Sequence, residues 1–243
     1  MRGILTIWER ELEACFLSPV AYVTMVFFLG ASNFTFIYSV DINAGRIESL
    51  PGLLVNSVLI WMTILITVIC MRLFAEERRS GAIELLMTAP VSEGQIVIGK
   101  YAGAMTFLVM AAAPAMLAIY ILDAMSPGIR SVDAGSMIGG CVILLLVSGL
   151  CVAAGLLVSL FTRNQIIAAI GCFCVTWSIL LAGHFMSLMP FGLEAVGSYI
   201  SVVSHVDDFS RGLMDSRPMV IYLSGTILLL FVSVRVLESN RWR

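Results

Sequence analysis

The sequence predicts an all-α, polytopic membrane protein with six transmembrane helices. Of its 243 residues, 60% are apolar and only 12% charged, against about 25% charged in soluble domains. The apolar residues gather into six runs at 20–40, 53–73, 101–122, 136–161, 166–189 and 219–237. A helix of about 20 apolar residues, rising 1.5 Å per residue, crosses a hydrocarbon core roughly 30 Å thick. The longest connectors, 74–100 and 190–218, are each shorter than roughly 30 residues and so too short to fold as independent domains. One membrane domain over 1–243 is therefore expected, and any energy source has to come from another subunit.

Ahead of the first run, Leu5, Trp8, Leu12 and Cys15 recur at spacings of three and four, with Thr6, Glu9, Arg10 and Glu13 mostly on the other side. This pattern predicts a helix over 2–17 lying flat in the membrane interface, with Trp8 at headgroup depth. No cleaved signal peptide is expected, because the first apolar run starts near residue 20 and is long enough to span. Pro19, after Ser18, turns the chain into that run. Ser32 and Asn33 in the first span and Asn56, Ser57, Thr63 and Thr67 in the second are candidates for a face between two copies, or for ordinary interhelical hydrogen bonds. Asn33 and Asn56 are also pathway candidates.

The connector after span two carries the densest charge. Glu76 to Met87 is rich in helix formers, sets Ile83, Leu86 and Met87 at helical spacing, and is closed by Pro90, which reads as a surface helix of about 15 residues, roughly 22 Å long, or as a solvated loop joining two spans. Gly81 in its middle costs about 1 kcal/mol relative to Ala unless a bend or a close approach needs it. Gly94 to Lys100 matches the G-x-x-x-x-G-K spacing of a phosphate-binding loop. However, Tyr101 stands where Ser or Thr would hold magnesium, and the segment runs into a membrane span rather than following a strand. Gly99 and Gly103 read instead as a small-xxx-small packing pair, and Gly139, Gly140, Gly149 and Gly155 favour tight packing in span four.

Cys15, Cys70, Cys141, Cys151, Cys172 and Cys174 lie in or beside predicted helices and read as small hydrophobes rather than as disulfides or a metal site. Ionisable residues inside spans are few. His184 in span five is the clearest and reads as structural or pathway-lining, while Arg72 and Arg235 sit near span ends, where they snorkel. The connector at 190–215 is half apolar yet too short to span; its His205, Asp207, Asp208 and Arg211 are candidates for a polar network, with Asp207 and Arg211 at i,i+4 spacing.

With the amino terminus inside, ten basic residues fall in the cytosol (Arg2, Arg10, Arg72, Arg78, Arg79, Lys100, Arg163, Arg235, Arg241, Arg243) and four outside (Arg46, Arg130, Arg211, Arg217). Basic residues are retained on the cytoplasmic side, so both termini are expected there. The net charge of -2 gives no reason to expect nucleic acid as a partner.

Phe74-Ala75-Glu76-Glu77-Arg78-Arg79-Ser80-Gly81, then Glu84-Leu85-Leu86-Met87-Thr88-Ala89-Pro90-Val91-Ser92 and Gly99-Lys100, resembles the signature between spans two and three of ABC-transporter permeases of the type-2 exporter class. Ser204-His205-Val206-Asp207-Asp208-Phe209-Ser210-Arg211-Gly212 and Leu237-Glu238-Ser239-Asn240-Arg241-Trp242-Arg243 look most like the gliding-motility branch and its nitrous-oxide-reductase-maturation relatives. The resemblance implies a permease in the bacterial inner membrane, paired with a second permease chain and served by two ATPase subunits that hold the ATP and magnesium; this chain itself holds no cofactor and is no enzyme. It further implies a coupling helix within 74–92, with Glu76, Glu77, Arg78, Arg79, Gly81, Ile83, Glu84 and Leu86 facing the ATPase, and short re-entrant helices over 190–215 that gate the outer side. An ion-coupled carrier would want buried carboxylates near the midplane, and an intramembrane enzyme a catalytic cluster; the sequence offers neither.

Overall fold

Six helices are long and apolar enough to cross a membrane, and all six expected spans are among them. The computed structural model describes residues 2–43, 49–81, 91–125, 133–187 and 194–241. Among these, ten helices and no strand are found: α1 (Arg2–Phe16), α2 (Pro19–Ile42), α3 (Leu50–Leu73), α4 (Ala75–Ser80), α5 (Glu93–Met125), α6 (Ala134–Phe161), α7 (Gln165–Ser187), α8 (Glu194–Ile200), α9 (Val202–Ser210) and α10 (Ser216–Arg241). The spans are α2, α3, α5, α6, α7 and α10.

Burial sorts these spans into two layers. In their most apolar stretches α3 and α6 are 67% and 61% buried, whereas the other four range from 22% to 33%. The second and fourth spans therefore form the inner pair, with α2, α5, α7 and α10 packed around them. The small residues of α6 allow this close packing. A Cβ on Gly140 would sit 2.6 Å from Val55 of α3, and one on Gly155 would sit 2.7 Å from the Cys70 sulfur. The outer helices turn Val23, Val26, Phe34, Ile37, Ile166, Ile170, Ile227 and Phe231 away from the bundle, as helices apolar all round do in lipid.

The helix starts have local causes. Proline stands in the first turn of both α2 and α3, where its missing N–H costs nothing and its fixed φ suits the helix. The third span begins at Glu93, eight residues earlier than expected, so Gly94 to Lys100 is helix and no phosphate-binding loop. At 33 residues α5 is about 50 Å long, well beyond the hydrocarbon thickness.

That extra length is covered by α1, which runs along α5. A Cβ on Gly99 would lie 2.8 Å from Ile7, and one on Gly103 would lie 2.8 Å from the Glu11 Cβ, so the expected small-residue pair is the seat of the amino-terminal helix. Trp8 Nε1 donates to Thr106 Oγ1 at 3.0 Å, and Phe16 meets Phe107 edge-on. The expected apolar stripe needs one correction: Leu5 is exposed and Ile7 is buried, because the face that meets α5 is rotated toward residues 4, 7, 8 and 11.

The short helices α8 and α9 close the opposite end of the bundle. Ser201 caps α9 by accepting from the Ser204 N–H at 3.3 Å, and Val202, Val206 and Phe209 are buried against the bundle. The approach is close enough that a Cβ on Gly139 would stand 2.2 Å from the Phe209 carbonyl oxygen; only glycine fits there.

Candidate functional site at the break after the second span

Between α3 and α4 the helix is interrupted at Phe74, whose φ of −125° and ψ of −33° leave the helical path. An interruption strands backbone groups that must find partners when buried, and Phe74 and Ala75 are both fully buried. Their two N–H groups donate to Ser159 Oγ of α6 at 3.2 and 3.1 Å. The Leu73 carbonyl accepts from Lys100 Nζ of α5 at 2.8 Å. Side chains from two other helices thus brace the break.

Lys100 is 1% exposed, and a buried ammonium is tolerated only with close partners. It has two carboxylates, Glu11 of α1 at 2.6 Å and Glu77 of α4 at 2.9 Å, and its ammonium lies 5.1 Å from the Phe74 ring centroid. Arg10 sits 3.6 Å from Glu77, so two cations balance two carboxylates. Beside them Arg72 pairs with Glu76 at 2.8 Å and donates to Ser18 Oγ; the expected snorkelling arginine is instead tied into the protein. A cavity of about 260 Å³ opens among Arg10, Glu11, Arg72, Glu76 and Glu77. Burial raises the neighbouring Cys15 thiol to about 11, and the Glu11 charge adds to this, which fits a small hydrophobe.

α4 is shorter than expected. Instead of running to Met87 it stops at Ser80, because Gly81 takes φ +75°, a left-handed cap that glycine adopts without steric cost. Of the expected coupling residues, Arg79 is exposed, Glu76 and Arg78 are half-buried, and Arg78 lies within reach of the like charge of Arg163. Glu77 turns inward to Lys100. Ile83, Glu84 and Leu86 lie outside the described residues. Sequence reasoning missed Lys100, Glu11 and Ser159. The available signal was the unexplained Lys at the head of an apolar helix, with an acid near each end of the segments that precede it.

The other candidate cluster lies at the α9 end. His205 Nδ1 is 2.9 Å from the Tyr222 hydroxyl of α10, and burial lowers its pKa from the ordinary 6.5, against the opposing charges of Asp208 and Asp215. Asp207 accepts from Asn56 Nδ2 of α3 at 3.2 Å. The expected Asp207–Arg211 pair is not formed, because Arg211 is the C-cap of α9 rather than a helical residue; the two side chains instead line a cavity of about 200 Å³ with Ser49, Gly52, Leu53 and Asn56. Asp208 is exposed. Asn33 donates to the Leu29 carbonyl of its own helix, and the His184 side chain lies outside the described residues. Ser32, Ser57, Thr63 and Thr67 are buried within this chain and each donates to a carbonyl of its own helix, so they form no face between copies.

The bundle thus carries a braced, charge-rich break at one end and a capped cluster at the other, with no group of three or more metal-ligating side chains among the described residues. No curated protein matches the chain. The sequence profile of the family described as ABC-2 family transporter protein matches residues 13–180, from the end of α1 through the break and into α7. Permeases of that family are membrane transport components, not themselves enzymes, and work with an ATPase subunit. With the matched region covering more than half of the sequence, the chain belongs to the ABC-2 transporter family and is the permease of an ABC transporter.

Proposed function

We propose that this permease is an exporter subunit of the bacterial inner membrane, with both termini and the α4 end in the cytosol, driven by a separate pair of ATPase subunits that grip α4 and the segment after it. The observation that carries the reading is the position of α4: a short charged helix, Arg79 outward, attached to the most buried span through a break that buried side chains hold in shape. A pull on such a helix reaches the inner pair α3 and α6 with little slack, as motion between two rigid arrangements requires. Glu76, Arg78 and Arg79, with Ile83, Glu84 and Leu86 beyond Gly81, form the contact. Glu77 works from behind, holding α4 to Lys100. The proximity of Arg78 to Arg163 suits an acidic surface on the partner, and such rim charges set partner choice and association rate.

On this reading a second permease chain completes the pathway, and the α8–α9 segment with His205, Asp207, Asp208 and Arg211 closes its outer side. The likeness of residues 204–212 and 237–243 to the gliding-motility branch favours that branch of the family. The test is affinity purification of the tagged chain from native membranes. An ATP-hydrolysing protein is expected to co-purify, and reversing Arg78 and Arg79 to Glu together should lower its recovery about tenfold, equivalent to roughly 1.4 kcal/mol of binding. Undiminished recovery would remove both arginines from the contact.

A further inference from the structure

We infer that Lys100, with Glu11 and Ser159, fixes the pivot of α4 and ties α1 to it, so that the amino-terminal helix and the coupling helix move as one body. This inference rests on the coupling reading above and adds to it a link between α4 and the amino-terminal helix through Glu11. At the break at Phe74, three backbone groups are bonded by side chains from outside the broken helix: two N–H groups by Ser159 and the Leu73 carbonyl by Lys100. A bend braced by buried hydrogen bonds from two neighbouring helices resists a change of angle when loaded.

The same ammonium holds Glu77 of α4 at 2.9 Å and Glu11 of α1 at 2.6 Å. One buried charge therefore joins the first residues of α4, the last carbonyl of α3 and the inward face of α1. Glu11 and Lys100 are 89 residues apart, so the tie is tertiary and has no counterpart in local helix geometry. Gly103 lets α1 sit against α5 at the level of Glu11, and the Trp8 to Thr106 bond fixes its register. Glu77 also has Arg10 of α1 at 3.6 Å, a second and more exposed link between the same two helices.

The test is hydrogen–deuterium exchange of the complex purified with its ATPase, comparing the nucleotide-free state with Mg-ATP and vanadate. In the native protein, peptides covering residues 2–16 and 74–80 should change their exchange together on trapping. R10Q combined with E11L removes both polar links from α1 to α4 and leaves Lys100 paired with Glu77 and the Leu73 carbonyl, so the response at 74–80 should persist while that at 2–16 is lost. S159A should raise exchange at the Phe74 and Ala75 amides about tenfold without nucleotide and blunt the response at 74–80. A purely structural role would raise basal exchange and leave the nucleotide-dependent difference unchanged in every variant. If 74–80 responds and 2–16 does not in the native protein, or if the R10Q/E11L variant responds at 2–16 as the native protein does, the tie is overturned while coupling stands. If no ATPase co-purifies, the coupling reading and this inference fall together.

Discussion

Lys100 shows how expensive a single buried charge is to disturb. Replacing it by Met leaves Glu11 and Glu77 facing each other at 13% and 12% side-chain exposure with their cation gone. Removing one partner of a buried ion pair costs about 3–5 kcal/mol. K100M is therefore expected to unfold well below the native chain in detergent, as followed by the monodisperse fraction surviving a heat step, with K100R recovering part of the loss. The glycines give a sharper contrast because only space differs. G139A would push a methyl group to 2.2 Å from the Phe209 carbonyl, whereas G30A meets nothing within 4 Å. The first should cost about 1–3 kcal/mol through overpacking, and the second should be neutral or stabilising by up to about 1 kcal/mol, in the same heat-step assay.

At the scale of elements, the cap α9 carries a proton-linked hold on α10 through His205 and Tyr222. Burial lowers the folded-state pKa of His205 below 6.5, so the unfolded chain binds the proton more tightly. The stabilisation is present above pH 6.5 and lost as the pH falls from there through the folded value. Thermal midpoints measured between pH 7.5 and 5 should decline, and the decline should be shallower in H205Q. The helices themselves were largely legible in the sequence. Twenty consecutive apolar residues have few alternatives to a span, and the Gly99 and Gly103 spacing announced a packing seat. The length of α4 was not legible, since Gly81 is compatible with a bend or a continuing helix and only its φ decides. Nor was the Lys100 cluster: pairing residues 11, 77 and 100 depends on how α1 lies along α5, which charge and hydropathy patterns along the chain do not encode. The Asp207–Arg211 spacing misled for a related reason, because Asp207 takes its partner, Asn56, from another helix.

Across the whole molecule, the proposed orientation sets the two charged ends on opposite sides of a membrane, with α4 toward the cytosol, as the ten-to-four distribution of basic residues favours. Single cysteines introduced as Arg79→Cys and Asp208→Cys into a chain lacking the exposed Cys174 should react with an impermeant maleimide from opposite faces, the first only in inverted vesicles. Labelling of both from one side would reject the topology. The shared ammonium also orders biogenesis. Glu11 and Glu77 are both synthesised ahead of Lys100, so their shared buried partner is missing until the third span is made. Nascent chains arrested before residue 100 should keep their amino-terminal helix open to protease, and those arrested after the fourth span should shield it. The charged end of the bundle is therefore completed only once the third of the six spans is in place.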